Sequence, residues 1–309
     1  MSAWPVPTGV GMTVKQAIRR SFERAAPTYE AAASLQKEIA RRLDDHLEEM
    51  RIEPKRILDA GCGPGIGFDL LRARYPQAEL IGLDLALAML RQARGHAASP
   101  TLFGRLAKLW QSVPEVRYVC GDIEALPLAK GSVDLIWSNL ALQWATDLPG
   151  ALRQLRRALR PEGLLLFSTF GPDTLKELRA AFAGLDGHNH VNRFIDMHDI
   201  GDMLMHAGFA HPVMEMELIT VTYADLKGVL RELKGIGAHT VVDGQRPGLM
   251  GRREWQRLSE NYERFRREGR LPATFEVVYG HAWAGREDRR EDGRQVIEFQ
   301  IQQRKAGLR

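Results

Sequence analysis

Three glycines near residue 60 lie where backbone could close around a ligand. Gly61, Gly63 and Gly65 follow a short apolar run, and the apolar residues after them recur at helical spacing. Glycine lacks a Cβ, so backbone can approach a ligand there, and the amides that open the helix would face it. Pro64 removes one amide donor, and Ile66 breaks the dinucleotide fingerprint, so a phosphate-poor ligand is favoured. A tight strand-to-helix turn without a ligand is the alternative interpretation.

Two carboxylates end the next two apolar runs. Asp84 lies 23 positions after Gly61, close to the roughly 20 typical of a carboxylate that accepts both hydroxyls of a ribose. Asp122 could accept a hydrogen bond from an adenine amino group. The carboxyl ends of parallel strands meet at one edge of a sheet, so we expect one nucleoside-like ligand to contact both. A helix cap at Asp84 and a turn at Asp122 are the alternatives.

Alternating β and α patterns would place these residues at one sheet edge. The predicted strands are 56–60, 79–84, 116–122, 133–139, 164–169, 213–223 and 274–284. Helical patterns separate most of them, and repeated β-α units build parallel sheets because right-handed crossovers put helices on both faces. We therefore predict an α/β fold with a doubly wound, mostly parallel, seven-stranded Rossmann-like sheet.

Segments outside the repeated units are predicted to cover or extend this sheet. Residues 14–50 read as two helices broken at Pro27, so 1–50 are predicted to form a helical lid over a domain at 51–309. An insertion at about 99–114 has the apolar spacing of a short amphipathic helix. A second, helical insertion at about 224–273 precedes the last strand.

Composition excludes several classes of protein. The chain has 309 residues, of which 44% are apolar and 27% charged, so it can bury a hydrophobic core. No run approaches the roughly 18 apolar residues of a membrane helix, and no membrane association is predicted. Cys62 and Cys120 are the two cysteines, each predicted at the end of a buried strand. A disulfide framework and a metal site are therefore not expected, and a cytoplasmic location fits.

Charge is concentrated late in the chain. The net charge is +4, and residues 246–270 alone hold eight arginines and four glutamates. A solvated helix face is one interpretation, and a docking surface for an acidic partner is the other. Nucleic acid is not predicted as a partner, because acidic residues dilute the cations and interleaved aromatics are missing.

The glycine loop and the two carboxylates resemble known motifs. Segments 58–65, 82–84 and 121–127 are similar to successive motifs of the class I S-adenosylmethionine-dependent methyltransferases. The resemblance implies S-adenosylmethionine as cofactor, with the glycines along its methionyl part and Asp84 on its ribose. It further implies that Asp122 and Ile123 meet the adenine, while the buried Asp59 reaches the amino end. Leu85 and Asn139, which follow the second strand and end the fourth, complete the predicted cofactor contacts.

A closer resemblance covers most of the chain. Blocks with the same pattern as the malonyl-acyl carrier protein O-methyltransferases of biotin synthesis are 22–29, 138–144, 170–175, 190–201 and 235–239. The insertion at 99–114 is longer than that family suggests. This resemblance implies methylation of the free carboxylate of malonyl-acyl carrier protein. A carboxylate is already ionised at neutral pH, so alignment is expected to suffice and no catalytic base is predicted.

Several residues are predicted to contact the acceptor or its carrier. The substrate residues are Tyr29, Gln143, Trp144, Arg193 and His239, and the carrier is expected to dock on Arg252, Arg253 and Arg257. Arg193 is the preferred partner of the acid group. Most also have a structural interpretation: packing for the aromatics, a satisfied structural role for His239, a surface or helix-capping position for Arg193 and a solvated helix face for the docking arginines. Gln143 is the exception, because a polar residue between Leu142 and Trp144 needs a partner if it is buried.

Two other functions remain open from the sequence. One is a related methyltransferase that acts on a quinone precursor or another small carboxylic acid. The other is a methyltransferase-like binding or assembly protein that holds the cofactor without transferring a methyl group.

Overall fold

The computed structural model describes residues 13–97, 114–185, 190–236 and 250–285. Its strands are β1 (Arg56–Ala60), β2 (Glu79–Asp84), β3 (Arg117–Cys120), β4 (Val133–Asn139), β5 (Leu159–Phe170), β6 (Phe209–Tyr223) and β7 (Leu271–Ala284). The first helices are α1 (Val14–Ala32), α2 (Ser34–His46), α3 (Phe68–Arg74), α4 (Leu87–Ala97) and α5 (Leu148–Ala158). The later ones are α6 (Lys176–Phe182), α7 (Met197–His206), α8 (Leu226–Gly235) and α9 (Arg252–Glu263), and a 3₁₀ turn spans Leu142–Trp144.

All seven strands form one sheet in the order β3-β2-β1-β4-β5-β7-β6. Strands β1 to β5 run parallel, and β7 lies antiparallel between β5 and β6. Registers such as Ala60 with Leu83 and Asp84 with Cys120 place the carboxyl ends of β1, β2 and β3 side by side. The predicted α/β fold with a mostly parallel seven-stranded sheet is confirmed.

Helices cover both faces of the sheet, as a doubly wound fold requires. On one face, buried side chains of α2, α3, α6, α8 and α9 form a single cluster with β1, β4, β5 and β7. On the other face, α5 and α7 bury their apolar stripes against the same strands. Leucines and other apolar residues fill the central strands almost without interruption, which is the pattern of strands buried on both sides.

Strand β3 differs from its prediction. It is shorter than 116–122 and its side chains are exposed or half-buried, because β3 is the edge strand of the sheet. Cys120 is therefore exposed, and the expectation that it ends a buried strand is wrong. Cys62 is buried as expected, and both thiols are free.

The predicted helix break at Pro27 is also wrong. Helix α1 continues through Pro27 to Ala32, and the chain leaves the helical conformation only at Ala33. The residues on both sides of the proline are fixed by tertiary contacts, which offset the lost backbone hydrogen bond. Ala25 and Ala26 are buried before it, and the Thr28 hydroxyl after it donates to the Gly235 carbonyl at 3.2 Å.

The two predicted insertions are described in part. Of the insertion at 99–114, all but residue 114 lie outside the described residues. The insertion at 224–273 contains α8 and α9, with residues 237–249 outside the description. Strands β6 and β7 begin earlier than predicted, because they pair with each other along almost their whole length. In the described ranges, no helix is both long and apolar enough to span a membrane.

Candidate functional site

A pocket opens at the carboxyl ends of β1, β2, β3 and β4. It encloses about 670 Å³ of space, part of which is open to solvent. Helix α1 forms one wall and the strand ends form the other. The lining residues are Lys15, Ile18, Phe22, Tyr29, Gly61, Gly63, Leu83, Asp84, Leu85, Met89, Gly121, Asp122, Ile123, Glu124, Asn139, Leu140, Ala141 and Trp144.

The glycine loop after β1 touches the segment after β4. Gly61 has a φ of +82°, and a Cβ added there would lie 2.2 Å from the Cβ of Ala141, so no other residue fits. Gly63 also has a positive φ and lines the pocket. Gly65 does not line the pocket, since it packs against the Phe68 ring instead. The loop thus presents backbone at Gly61 and Gly63 to the cavity.

Asp84 ties two pocket loops together. One carboxylate oxygen accepts from the Gly63 amide at 2.9 Å, and the other accepts from the Ala86 amide at 2.8 Å. Burial raises the pKa of Asp84 to about 6, although these backbone hydrogen bonds oppose the rise. The Asp84 carboxylate therefore accepts an amide hydrogen bond just before α4, as the helix-cap alternative predicts. It also lines the cavity.

Asp59 is buried behind the glycine loop and does not line the pocket. Its side chain is 3% exposed, and no cation pairs with it among the described residues. A Cβ built on Gly67 would lie 3.0 Å from its Oδ2 and 2.9 Å from Trp137 Nε1, a buried donor that has no hydrogen-bond partner among the described residues. Burial and then the nearby Asp84 carboxylate hold the pKa of Asp59 well above its usual value.

The third strand end is held by the N-terminal helix. Lys15 of α1 lies 2.7 Å from an Asp122 oxygen and 2.6 Å from a Glu124 oxygen. The other Asp122 oxygen accepts from the Glu124 amide at 2.9 Å, which is the predicted turn interaction. Ile123 lies between these carboxylates on the pocket wall.

Helix α1 is fastened across the pocket at further points. Glu23 accepts from the Leu87 amide at 2.8 Å and the Ala88 amide at 3.0 Å, where α4 begins. The rings of Phe22 and Trp144 meet edge to face, with centroids 5.1 Å apart. Tyr29 lines the cavity, and burial followed by the Asp84 charge raises its hydroxyl pKa.

Two polar residues, at the end of β4 and shortly after it, form hydrogen bonds with other groups of the protein. The Asn139 amide donates to the Gln36 carbonyl at 3.1 Å, and its oxygen accepts from the Ser168 hydroxyl at 2.7 Å. Gln143 donates to the Leu140 carbonyl at 2.8 Å and accepts from Thr169. Gln143 has the partners that a half-buried amide needs, but it does not line the pocket.

Other predicted residues lie away from the cavity or outside the description. Arg193 is exposed, next to Phe194, whose ring contacts Phe170 at the end of β5. His239 falls outside the described residues. The predicted docking arginines, Arg252, Arg253 and Arg257, are exposed on α9 and form no ion pair among the described residues. The described parts of the chain hold no cluster of three or more potential metal ligands.

Sequence reasoning missed several pocket residues. The unpredicted lining residues include Lys15, Ile18, Met89, Glu124, Leu140 and Ala141. Glu124 follows Asp122 in the same motif, so that segment could have indicated it. Lys15 and Ile18 could not be found in this way, because α1 reaches the strand ends only through tertiary packing.

Comparisons with known proteins show the family of this chain. A family described as "Methyltransferase domain" matches residues 58–167. The malonyl-acyl carrier protein O-methyltransferase of Laribacter hongkongensis is 54% identical, over 93% of this chain and 96% of that protein. The enzyme of the same name from Gallionella capsiferriformans is 52% identical, over 92% and 95%. The chain belongs to the malonyl-acyl carrier protein O-methyltransferase family.

Solved structures support the fold of this family member. The phosphoethanolamine N-methyltransferase 2 of Haemonchus contortus, solved with S-adenosyl-L-methionine, matches with a TM-score of 0.52 at 15% identity. The match covers 91% of this chain and 62% of that one. Family membership confirms the resemblance predicted from the sequence. It also confirms the prediction that the protein is a methyltransferase enzyme.

The buried Asp59 predicts a measurable pH effect on the stability of this methyltransferase. Its folded pKa lies above its unfolded value near 4, so the folded state keeps the proton while the unfolded state releases it as the pH rises. The free energy of unfolding should then fall by up to about 1.4 kcal/mol per pH unit above pH 4. Asp59→Asn removes this loss, so its stability advantage over the wild type should grow between pH 5 and pH 8.

Urea unfolding at several pH values measures this difference. Asp69, which is exposed at the start of α3, provides the matched control, and Asp69→Asn should show no growing advantage. A wild type and an Asp59→Asn variant whose free energies of unfolding differ by the same amount at pH 5 and pH 8 would contradict the explanation.

Proposed function

We propose that the protein transfers a methyl group from S-adenosyl-L-methionine to the free carboxylate of malonyl-acyl carrier protein. The product would be the methyl ester that primes synthesis of the pimeloyl precursor of biotin. The observation that carries this proposal is identity above 50% to enzymes of that name over nine-tenths of the chain. The pocket at the strand ends is proposed as the site of this reaction.

The lining of the pocket suits S-adenosylmethionine, the cofactor that family membership confirms. Asp84, Leu85, Asp122 and Ile123 all line the pocket. The two carboxylates are proposed to accept from the ribose hydroxyls and the adenine amino group, and Leu85 and Ile123 to lie beside the base. Gly61 and Gly63 leave backbone room for the methionyl part, and Gly65 lets the loop turn into α3. Asn139 borders the cavity at the end of β4.

Asp59 is assigned to the cofactor's amino end, directly or through water. A buried carboxylate without a cation reduces the stability of the fold, so its presence favours a ligand that brings a positive charge. The unpaired Trp137 Nε1 beside it offers a donor for the same ligand or for a water molecule. Phosphate would fit poorly here, because the nearest charged groups of the loop are carboxylates.

Methyl transfer at this site is assigned to alignment and exclusion of water. The bound cofactor supplies a methyl group on a positively charged sulfur, which an in-line nucleophile can attack. Phe22, Tyr29 and Trp144 cover the cavity from above and keep water from the acceptor's approach. The acceptor carboxylate, with a reference pKa of about 4, needs no base. No catalytic acid or base is therefore assigned to this chain.

Residues 1–50, which contain helices α1 and α2, are proposed to act as a lid over the methyltransferase domain at 51–309. The contacts from Lys15, Phe22 and Glu23 fix α1 to the loops after β2 and β3 and to the turn after β4. Entry of a ligand from the α1 side would break these contacts.

The two free cysteines fit a reducing compartment, which supports the cytoplasm as the location.

The acceptor is proposed to approach beside the ends of β4 and β5. Arg193 is assigned to the acid group of the malonyl unit, because Phe194 anchors its segment to Phe170 at the end of β5. Gln143 and Trp144 border that approach, and His239 is proposed to line the acyl channel. Carrier proteins are strongly acidic, so the exposed α9 arginines are proposed to steer and orient the carrier.

Mass spectrometry of malonyl-acyl carrier protein tests the function. Incubation with the protein and S-adenosylmethionine should add the mass of one CH₂ group to the malonyl unit. Acetyl-acyl carrier protein, which lacks the free carboxylate, should remain unmodified. Asp84→Ala, which removes the ribose acceptor and loosens the glycine loop, should lower the rate at sub-saturating cofactor by at least about tenfold.

Other outcomes of that assay favour the other functions. Methylation of a quinone precursor, with malonyl-acyl carrier protein unchanged, would move the protein to a different substrate class. Cofactor binding without methylation of either acceptor would favour a binding or assembly role.

Substrate and carrier contacts can be separated with two malonyl thioesters. Arg193→Ala should raise the apparent KM for malonyl-acyl carrier protein and for malonyl-CoA alike, since both present the same carboxylate. The double variant Arg252→Glu, Arg253→Glu should raise only the KM for the carrier-bound substrate, by about tenfold at low salt, because it alone presents an acidic protein surface. Steady-state kinetics with each substrate measures both effects.

Helix α8 provides the control, because Lys227 and Lys234 are also exposed and unpaired among the described residues. Reversing them should change neither KM. If the α8 reversals raised the KM for the carrier-bound substrate and the α9 reversals did not, the carrier would dock elsewhere. An unchanged KM in Arg193→Ala would contradict the role of Arg193.

A further inference from the structure

Leu140 adopts a backbone conformation that leucine rarely takes. It follows β4 directly, lines the pocket, and has a φ of +51°. In this left-handed region the Cβ of a branched side chain crowds the backbone, so such residues persist only where their surroundings hold them. Leu140 is 8% exposed and part of the main core cluster, so packing fixes its side chain. Its two peptide groups are fixed separately, by hydrogen bonds.

Ser168 holds the amide of Leu140. This amide donates to the Ser168 hydroxyl oxygen at 3.0 Å and to the Ser168 carbonyl at 3.1 Å. The same hydroxyl donates to the Asn139 side-chain oxygen at 2.7 Å. Ser168 is fully buried on β5 and does not line the pocket. One hydroxyl thus orients both the pocket residue Asn139 and the strained residue that follows it.

The carbonyl of Leu140 is held from the next position of β5. Gln143 donates to that carbonyl at 2.8 Å, and Thr169 donates to the Gln143 oxygen at 3.3 Å. Two adjacent residues of one strand therefore restrain both peptide groups of Leu140. Thr169, like Ser168, is buried and lies outside the pocket wall.

The position of residues 140–141 affects the width of the pocket. Ala141, the next residue, lies so close to Gly61 that a Cβ on the glycine would come within 2.2 Å of it. A small shift of 140–141 would therefore change the gap between the glycine loop and the segment after β4. The reacting groups of a methyl transfer must meet in that region at near-contact distance, where a misplacement of about 1 Å can cost about 100-fold in rate.

We propose that Ser168 is a positioning residue for methyl transfer, acting through Leu140 and Asn139 and supported by Thr169 through Gln143. This inference rests on the proposed function, because it assigns the residue to that reaction. Ser168 does not contact cofactor or acceptor. Its hydroxyl selects the left-handed backbone of Leu140 and the amide orientation of Asn139, and so sets the alignment of the bound reactants.

The test compares two buried serines. Ser168→Ala removes the shared hydroxyl, whereas Ser138→Ala removes a hydroxyl that is equally buried on β4 but donates to the Ala60 carbonyl at 2.8 Å. Single-turnover methylation of malonyl-acyl carrier protein at saturating cofactor gives the rate, and calorimetry gives the Kd for S-adenosylhomocysteine. Ser168→Ala should lower the rate by about 10- to 100-fold and weaken the Kd by less than this, because Asp84 still holds the Gly63 amide while Asn139 and Leu140 lose their shared partner.

Ser138→Ala should lose comparable stability in urea unfolding but keep its rate within about threefold of the wild type. Thr169→Val, which preserves shape and removes the bond to Gln143, should slow transfer less than Ser168→Ala and should change the Kd less than the rate. Equal rates for Ser168→Ala and Ser138→Ala would overturn the inference, and so would a loss confined to the Kd. An inactive wild type would instead refute the proposed function, so the two failures are distinguishable.

Discussion

The carboxylate of Asp84 holds the pocket in shape. It accepts from Gly63 on one side and from Ala86 on the other, and so joins the loop after β1 to the start of α4. Within the loop after β1, the Gly61 and Cys62 amides donate to the Leu83 carbonyl of β2, and Asp84 holds the next amide, that of Gly63. The Asp84 side chain is half-buried and lines the cavity, and burial raises its pKa to about 6. A ligand that donates two hydroxyl protons to it would complete its environment.

Helix α1, which forms one wall of the pocket, is held by the strand ends that form the opposite wall. Glu23 of α1 caps the amides of Leu87 and Ala88 at the start of α4, three and four residues after Asp84, while Lys15 pairs with Asp122 and Glu124. Asp122 and Glu124 line the cavity, and Leu87 and Ala88 closely follow the lining residues Asp84 and Leu85. The covering helix and the ligand-binding loops are therefore energetically linked, which suits a reaction that must exclude water from a positively charged sulfur.

The sequence was sufficient to predict the sheet and the strand-end residues. Buried parallel strands are nearly continuous apolar runs, and Gly61, Asp84 and Asp122 stand directly after them, so local pattern and tertiary position coincide. Position within the sheet was not predictable in the same way. Strand β3 shows the reason, since edge location exposes Cys120 without changing the local pattern enough to reveal it.

Contacts between distant segments account for the other differences. Pro27 stays within α1, next to Thr28, whose hydroxyl donates to Gly235 more than 200 residues along the chain, and no local rule contains that bond. Lys15 reaches Asp122 in the same non-local way. Ser168 looks like an ordinary strand residue in sequence, and only the φ of Leu140 in the folded chain reveals what its hydroxyl holds.

Calorimetric binding of S-adenosylhomocysteine between pH 5 and pH 8 tests the central claim most directly. The account predicts binding to the wild type that weakens below about pH 6, since the ribose hydroxyls need an ionised Asp84 as acceptor. Asp84→Asn should bind at least about tenfold more weakly at pH 7.5 and lose this pH dependence. Absence of binding by the wild type, or equal affinity in Asp84→Asn, would contradict the account.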